Sequence, residues 1–222
     1  QLGKGVQAFA SRCGVARNKR FPGHGGGKRC CEKLKRLCFA NNGLLPTEFN
    51  AVGQTLVKGG LRKLEHLDLS NNTAGILGGD MLGRALVYAG QQVDRLDLLH
   101  LNLDYCEMCD KGVKCILNAL TRFQNLTHLY MAGNHLTNIA IGELRKAMSL
   151  GALGAIQVVD LHANDLGDLG GHFFTMSWFE YSLNSMSYLD LRAVNLTLGG
   201  MNKLAVTMEE SVQSESLSIL RV

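Results

Sequence analysis

The stretch LEHLDLSNN at residues 64–72 decides the fold, because the chain repeats its pattern. Leucines stand at positions 64, 67 and 69, and an asparagine stands at 72. The same spacing returns in LTHLYMAGN (126–134) and IQVVDLHAN (156–164), and looser copies begin at 34, 93 and 186. A seventh copy begins at 217, so that successive starts are 30, 29, 33, 30, 30 and 31 residues apart. A period this regular predicts a repeat architecture.

Each copy of the phrase also predicts its local structure. Its second and third apolar positions are separated by one residue, which is the alternation of a β-strand with one buried face. Between copies the apolar residues recur at three and four positions, as Phe49, Val52 and Leu56 do after the first copy. That spacing places them on one side of an α-helix. The sequence therefore predicts a strand and a helix in every repeat.

The phrase resembles the leucine-rich repeat, and a period near 30 with a helix in each unit resembles the ribonuclease-inhibitor-like subclass. The resemblance covers residues 34–222. It implies an α/β solenoid, or horseshoe, of about six to seven repeats, with parallel strands on the concave face and helices on the convex face. It also implies a ladder of asparagines after the strands, and the matching residues are Asn42, Asn72, Asn134 and Asn164. Leu101 and Val194 fall in that slot in two repeats, where Asn195 is an alternative to Val194.

The positive charge is concentrated before the first repeat. Residues 1–33 contain eight basic residues and one acidic residue, a net charge of +7; since the whole chain carries +4, the remainder carries −3. We predict two parts, a basic N-terminal arm or cap with a glycine-rich joint (1–33) and the solenoid (34–222). The arm is either a solvated leader or cap over the first repeat, or a segment that contacts RNA, an acidic protein or an anionic membrane surface. Its candidate binding residues are Arg12, Arg17, Lys19, Arg20, Lys28 and Arg29.

The seven cysteines bear on compartment and on metal binding. Their odd number, with no cluster near the C-terminus, favours reduced thiols and an intracellular protein, cytoplasmic or organellar, over a secreted one. No apolar run reaches the ~20 residues of a membrane span. Cys106, Cys109 and Cys115 have spacing suited to one part of a zinc site, but the chain has no second C-x-x-C, and small buried cysteines explain them better. We expect no metal and no cofactor.

The residues expected on the concave face are the candidate partner-binding residues. They are Asp68, Asp97, Tyr130, Asp160, His162, Asp190 and Arg192. Aspartates on adjacent strands would lie ~4.8 Å apart and repel one another unless paired. Two interpretations stay open: a solvated feature of the fold, or an acidic strip that binds a basic protein surface.

These observations predict a non-enzymatic scaffold for protein–protein interaction, since the chain has neither an H-E-x-x-H nor a G-x-S-x-G motif. The last strand (217–222) has no polar capping repeat after it, which predicts an open end. We expect a subunit of a larger intracellular assembly that docks through its concave face, open end and basic arm. One alternative is an RNA-contacting subunit of a ribonucleoprotein that uses the arm. Another is a GTPase-activating regulator resembling the Ran GTPase-activating protein, which shares the repeat subclass.

Overall fold

A computed structural model describes residues 31, 33–91, 96–181, 184–209 and 217–222, with residues 178 and 179 described by their backbone alone. The six basic side chains predicted to bind through the arm lie outside the described residues. The boundary between arm and solenoid at residue 33 stays a prediction.

Short strands and longer helices alternate along the described chain. The strands are β1 (Arg36–Cys38), β2 (His66–Asp68), β3 (His100–Asn102), β4 (His128–Tyr130), β5 (Val158–Asp160), β6 (Tyr188–Asp190) and β7 (Ile219–Arg221). The helices are α1 (Pro46–Val57), α2 (Gly75–Gln91), α3 (Cys109–Ala119), α4 (Asn138–Ser149), α5 (Gly167–Glu180) and α6 (Leu198–Glu209). A 3₁₀ turn, Leu120–Arg122, extends α3.

The strands form one open parallel sheet in sequence order, from β1 to β7. One row of the sheet contains the middle residue of each strand, namely Leu37, Leu67, Leu101, Leu129, Val159, Leu189 and Leu220. All of these except Leu220 are buried. The alternation of strand and helix in one parallel sheet confirms the predicted α/β leucine-rich repeat solenoid.

The core lies between the sheet and the helices. Leu67 and Leu69 of the second repeat are buried with Phe49 of α1 and Leu82 of α2. Burying a side chain of this size contributes about 2 kcal/mol. Helices α2 and α3 approach closely at Gly83, where a Cβ atom would lie only 2.5 Å from the backbone nitrogen of Ile116.

Local sequence signals set where helices begin. Helix α1 starts at a proline, whose fixed φ suits the first helical position. The Glu48 carboxylate accepts a hydrogen bond from the Leu45 backbone nitrogen at 3.0 Å, which satisfies a donor just before the first turn. At α4 the Thr137 hydroxyl accepts from the Ile139 nitrogen at 3.2 Å, as an N-cap residue does.

The predicted alignment of the third repeat is wrong. Strand β3 begins at His100, and Leu101 pairs with Leu67 instead of filling the asparagine slot. The phrase of this repeat is therefore LLHLNLDYC (98–106), 34 residues after the second start and 28 before the fourth. It overlaps VDRLDLLHL (93–101), and both stretches satisfy the apolar spacing. The correct one is hidden because Cys106 takes the place of asparagine.

The asparagine ladder is confirmed at Asn72, Asn134 and Asn164, whereas the Asn42 side chain donates within its own repeat, to the Ala40 carbonyl at 2.8 Å. Asn134 shows the geometry of the ladder. Its Nδ2 donates to the carbonyl oxygen of Leu103 in the preceding repeat at 2.7 Å. Its Oδ1 accepts from the backbone nitrogens of Cys106 at 3.1 Å and Met108 at 3.3 Å. Asn72 and Asn164 make the same kinds of bond. Each side chain thus satisfies buried backbone groups in two repeats.

The two repeats without a ladder asparagine differ. The Cys106 thiol donates to the Leu69 carbonyl at 3.2 Å, which is the bond that an asparagine would make. Val194 is buried and apolar. Asn195 does not replace it, because its Nδ2 donates to the Asp165 carboxylate at 2.7 Å in an exposed position.

The structure also bears on two further predictions, the lack of a membrane span and the reduced state of the cysteines. In the described parts of the chain, none of the helices has the length and apolar character needed to cross a bilayer. Cys38, Cys106, Cys109 and Cys115 are free thiols, as expected. Cys31 is disulfide-bonded, so the prediction of reduced thiols is wrong at that residue.

Candidate interaction surface on the concave face

The face of the sheet opposite the helices, which we call the concave face, carries the first and third residue of each strand, because successive side chains point to opposite sides. The first row is Arg36, His66, His100, His128, Val158, Tyr188 and Ile219. The second row is Cys38, Asp68, Asn102, Tyr130, Asp160, Asp190 and Arg221. A protein that approaches the sheet from this side meets these rows.

Most of the predicted site residues lie on this face, with one exception. Asp68, Tyr130, Asp160 and Asp190 are in the second row, and His162 and Arg192 follow two strands by two residues. Asp97 precedes β3, and its carboxylate accepts from the Asn125 amide at 3.0 and 3.2 Å. Its predicted place on β3 is wrong, and Asn102 stands there instead. The predicted Asp68–Asp97 repulsion is therefore absent.

Asp190 is neutralised within the chain. It is fully buried, and the Arg192 guanidinium donates to both its oxygens, with Nε 2.9 Å from Oδ1 and NH2 2.6 Å from Oδ2. The Tyr188 hydroxyl donates to Oδ2 at 3.1 Å. Burial raises the pKa of Asp190, but the hydrogen bonds from Arg192 outweigh burial and hold it below its ordinary value. Asp190 is therefore already paired with a cation of its own chain, the Arg192 guanidinium.

Asp160 belongs to a chain of hydrogen bonds that crosses a repeat. Its Oδ1 lies 2.6 Å from His162 Nδ1, and His162 Nε2 lies 2.7 Å from the Tyr105 hydroxyl. An ionised carboxylate only accepts, so Nδ1 carries the proton and Nε2 accepts from Tyr105. The Tyr105 ring reaches His162 across Gly133, where a Cβ atom would overlap the ring. The bonds tie the third repeat to the fifth.

Three imidazoles stack in the first row. The ring centroids of His66 and His100 are 4.0 Å apart, and those of His100 and His128 are 3.8 Å apart with nearly parallel planes. Burial, with positive charge from neighbouring histidines and Arg36, lowers the pKa of His100 to about 4. The pKa values of His66 and His128 are also lowered, mainly by burial. The three stacked imidazoles are therefore uncharged at neutral pH.

Asp104 is a half-buried residue of this surface that the sequence reasoning missed. It follows β3 by two residues, and its Oδ1 accepts from the Ala132 backbone nitrogen at 2.7 Å. Burial first, and then repulsion from Asp160 and Asp68, raises its pKa to about 6. Had the third repeat been aligned on the histidine that precedes the central leucine in His66, His100 and His128, Asp104 would have been found.

Asp68, Asp104 and Asp160 form what we call the acidic patch. The three carboxylates are close enough for the charges of Asp68 and Asp160 to raise the pKa of Asp104. Within the described residues, none of the three forms an ion pair with lysine or arginine. The nearest basic group is His162, beside Asp160. Among the described residues the patch therefore has no lysine or arginine counterion, and the His162 imidazole is the basic group in contact with it.

The cysteines considered for zinc do not form one site. The Cys106 thiol is turned to the Leu69 carbonyl, whereas the Cys115 thiol donates to the Asp80 carboxylate at 3.2 Å. The Cys109 thiol points to a third group, the Glu107 carbonyl. Each sulfur has its own partner, so the spacing that suggested zinc reflects three separate environments.

One other group of side chains has metal-binding chemistry. Single atoms of Asp160, His162 and Asp190 lie within 4.8 Å of one another. A cation there would have to displace the Arg192 guanidinium from Asp190 and the imidazole from Asp160. Each of the three side chains is already hydrogen-bonded within the chain, so the group does not offer a cation a free set of ligands.

Comparison with known proteins identifies the repeat. The model of the Leucine Rich Repeat family matches residues 125–147, a stretch that includes β4 and most of α4. No curated protein matches the chain.

Proposed function

The chain is a leucine-rich repeat protein, and on that premise we propose that it is a non-enzymatic scaffold whose concave face binds a basic surface of a protein partner within a larger intracellular assembly. The repeat in general supports a protein-interaction role. What supports the proposed mode is the charge of the acidic patch, which has no lysine or arginine counterion among the described residues, and above all the charge of Asp104.

Asp104 carries the proposal because its charge opposes folding. A raised carboxylate pKa means that the folded surroundings disfavour the ionised form that prevails at neutral pH. The corresponding positions in the neighbouring repeats hold Ser70 and Ala132, so the fold does not require a carboxylate there. A lysine or arginine of a partner would supply the missing positive charge.

The surroundings of the patch suit a protein partner. The uncharged imidazole row and the half-buried ring of Tyr130 flank the carboxylates with flat, weakly hydrated surface. Arginine stacks on such rings while its guanidinium binds carboxylates. Arginine-rich partner surfaces are therefore favoured over surfaces rich in lysine.

We interpret the hydrogen bonds that connect Tyr105, His162 and Asp160 as a structural link between two repeats and not as a catalytic proton relay. Both nitrogens of the imidazole are engaged within the chain, at 2.6 and 2.7 Å. Such bonds fix the turn of the third repeat relative to the fifth. A rigid surface loses less entropy on binding.

Other predictions remain part of the proposal. A helix in each repeat supports the ribonuclease-inhibitor-like subclass. Four free thiols favour an intracellular compartment, whereas the disulfide of Cys31 weighs against it. The RNA-contacting and GTPase-activating alternatives gain no specific support from the described residues, and they stay predictions.

The test removes the patch charge without removing its hydrogen bonds. The variant Asp104→Asn/Asp160→Asn keeps an acceptor oxygen at both positions, and Asp97→Asn is the matched control because that aspartate lies off the strand rows. Each protein is immobilised and exposed at low salt to a lysate prepared under non-denaturing conditions, and the amount of captured partner is quantified. We expect the control to capture as much partner as the unaltered protein, and the double variant about tenfold less. Equal capture by all three would reject the concave patch as the interface.

A further inference from the structure

The basic N-terminal segment has a charge that matches the acidic patch. Residues 1–30 contain seven lysines and arginines and no acidic residue. They are Lys4, Arg12, Arg17, Lys19, Arg20, Lys28 and Arg29. The segment joins the described chain at Cys31, five residues before β1 at one edge of the sheet. A strongly cationic peptide is therefore covalently attached beside a face whose carboxylates have no lysine or arginine counterion among the described residues.

The segment is long enough to reach the patch. Seven strands at ~4.8 Å span about 29 Å from β1 to β7. Even the first twelve residues, which precede every cysteine of the segment, extend to about 40 Å at ~3.3 Å per residue, so a disulfide from Cys31 does not shorten the reach below the span of the sheet. The patch lies on the second to fifth strands, well within this reach. A tether of this kind gives an effective concentration on the order of millimolar, so that even weak ion pairs are populated.

The acidic residues on the helical side are less suitable partners, because many are already satisfied. Glu143 is paired with Lys146 at 2.9 Å and Lys114 at 3.5 Å. Asp80 is paired with Arg84 at 2.9 Å. The sheet offers a further reason, since parallel sheets are normally covered on both faces, and the helices of the described residues pack against one face.

We propose that residues 1–30 bind the concave face of their own chain, with lysine and arginine side chains against Asp68, Asp104 and Asp160. The inference rests on the proposed function in that the segment occupies the partner's site. It adds a regulatory consequence, because a basic partner must displace the segment before it binds. The chain then limits its own binding until a competing cation, a partner or high salt releases the segment.

Zero-length carbodiimide cross-linking of the full chain tests this directly, since it joins a lysine amine only to a carboxylate in contact with it. Linked peptides are identified by mass spectrometry. Lys35 and Glu65, 2.6 Å apart, form an internal positive control. We expect links from Lys4, Lys19 or Lys28 to the carboxylates of the patch.

Salt and substitution provide the matched controls. At 1 M NaCl, where the Debye length is about 3 Å, links from the segment should fall about fivefold or more. Asp104→Asn/Asp160→Asn should leave only links to Asp68, whereas Asp97→Asn should change nothing. The proposal is overturned if the control link forms and the segment's lysines link to no patch carboxylate, or link equally to Asp97 and other carboxylates off the face.

Mixing isotopically labelled and unlabelled protein separates binding within a chain from binding between chains. Links within one isotopic species support the proposal, and links that join the two species overturn it in favour of a second copy as occupant. The result is independent of partner capture. Links to the patch with unchanged capture would refute the proposed function alone, and capture lost without any links would refute only this inference.

Discussion

The third repeat (98–125) and the fifth (156–185) fold into the same unit of strand, turn and helix, but different side chains hold their turns. In the fifth, the Asn164 amide donates to three carbonyls, and its oxygen accepts from the Asn134 and Leu136 backbone nitrogens, each at 3.0 Å. In the third, Cys106 bonds the carbonyl of the preceding repeat but provides only a weak acceptor. Cys106 thus keeps the hydrogen bond that a ladder asparagine donates to the preceding repeat, but it does not provide the asparagine's strong oxygen acceptor.

The two repeats also differ in charge two residues after the strand. The fifth repeat has His162 there, bonded to Asp160, whereas the third has Asp104, whose pKa is raised. The irregular repeat is therefore weaker in its ladder and carries a charge that opposes folding. The regular repeats thus stabilise the fold, whereas the irregular third repeat contributes Asp104 to the candidate binding surface.

The largest expected effect comes from removing the regular ladder. Asn164→Ala eliminates both acceptor bonds and leaves the buried nitrogens of Asn134 and Leu136 unsatisfied. We expect a loss of about 3 kcal/mol in the free energy of unfolding, measured by urea denaturation. Asn118→Ala, at an exposed position of α3 away from the ladder, should change the free energy of unfolding by less than about 0.5 kcal/mol. A loss below that for Asn164→Ala would show that the ladder is not a source of stability.

The next effect concerns Asp104 and depends on pH. Its folded pKa of about 6 lies above the ordinary 3.8, so the folded state holds the proton more tightly. Stability is therefore favoured at low pH, falls as pH rises from about 4 to 6, and stays reduced above that. Asp104→Asn should stabilise the protein by about 1 kcal/mol at pH 8, a value reduced because the group is half-buried.

The same substitution should have little effect near pH 3, where the carboxyl is mostly protonated in both folded and unfolded chains. Urea denaturation at the two pH values gives the comparison, and Asp97→Asn is the control. Equal effects of Asp104→Asn at both pH values would mean that the charge of Asp104 is not what opposes folding.

The smallest effect is expected at the substituted ladder position. Cys106→Ala removes one weak thiol donor and little volume, and it should cost about 0.5 kcal/mol. Cys106→Asn restores both a donor and an acceptor, so it should be at least as stable as the unaltered protein. Denaturation of both variants beside Asn164→Ala completes the comparison. If Cys106→Ala cost as much as Asn164→Ala, cysteine would serve the ladder as well as asparagine does.

The sequence predicted the regular repeats because their signals are local. The apolar spacing of residues 64–72 and 156–164 requires a strand, and the asparagine that follows requires a turn. The third repeat failed because two overlapping stretches satisfy the same spacing, and the side chain that discriminates between them is a cysteine. Asp97 was consequently placed on the face and Asp104 was missed.

Other features could not be read from spacing at all. The bond between Tyr105 and His162 joins residues 57 positions apart across Gly133, and it depends on how successive turns lie against each other. The neutralisation of Asp190 by Arg192 depends on a side-chain rotamer. Of the aspartates that the sequence placed in one column, Asp190 is thus paired with an arginine, whereas Asp68 and Asp160 have no lysine or arginine partner among the described residues.

Because Cys106 is buried, the rate at which its thiol is chemically labelled reports how often the third repeat opens locally. Its thiol is fully enclosed, and burial raises its pKa to about 12, so that it does not react with alkylating reagents in the closed state. Cys38 is exposed and reacts without any opening. The ratio of the two labelling rates therefore reports the local opening free energy of the repeat that bears Asp104. An occupant bound to the acidic patch would slow the labelling of Cys106 and leave Cys115, on the helical side, unchanged.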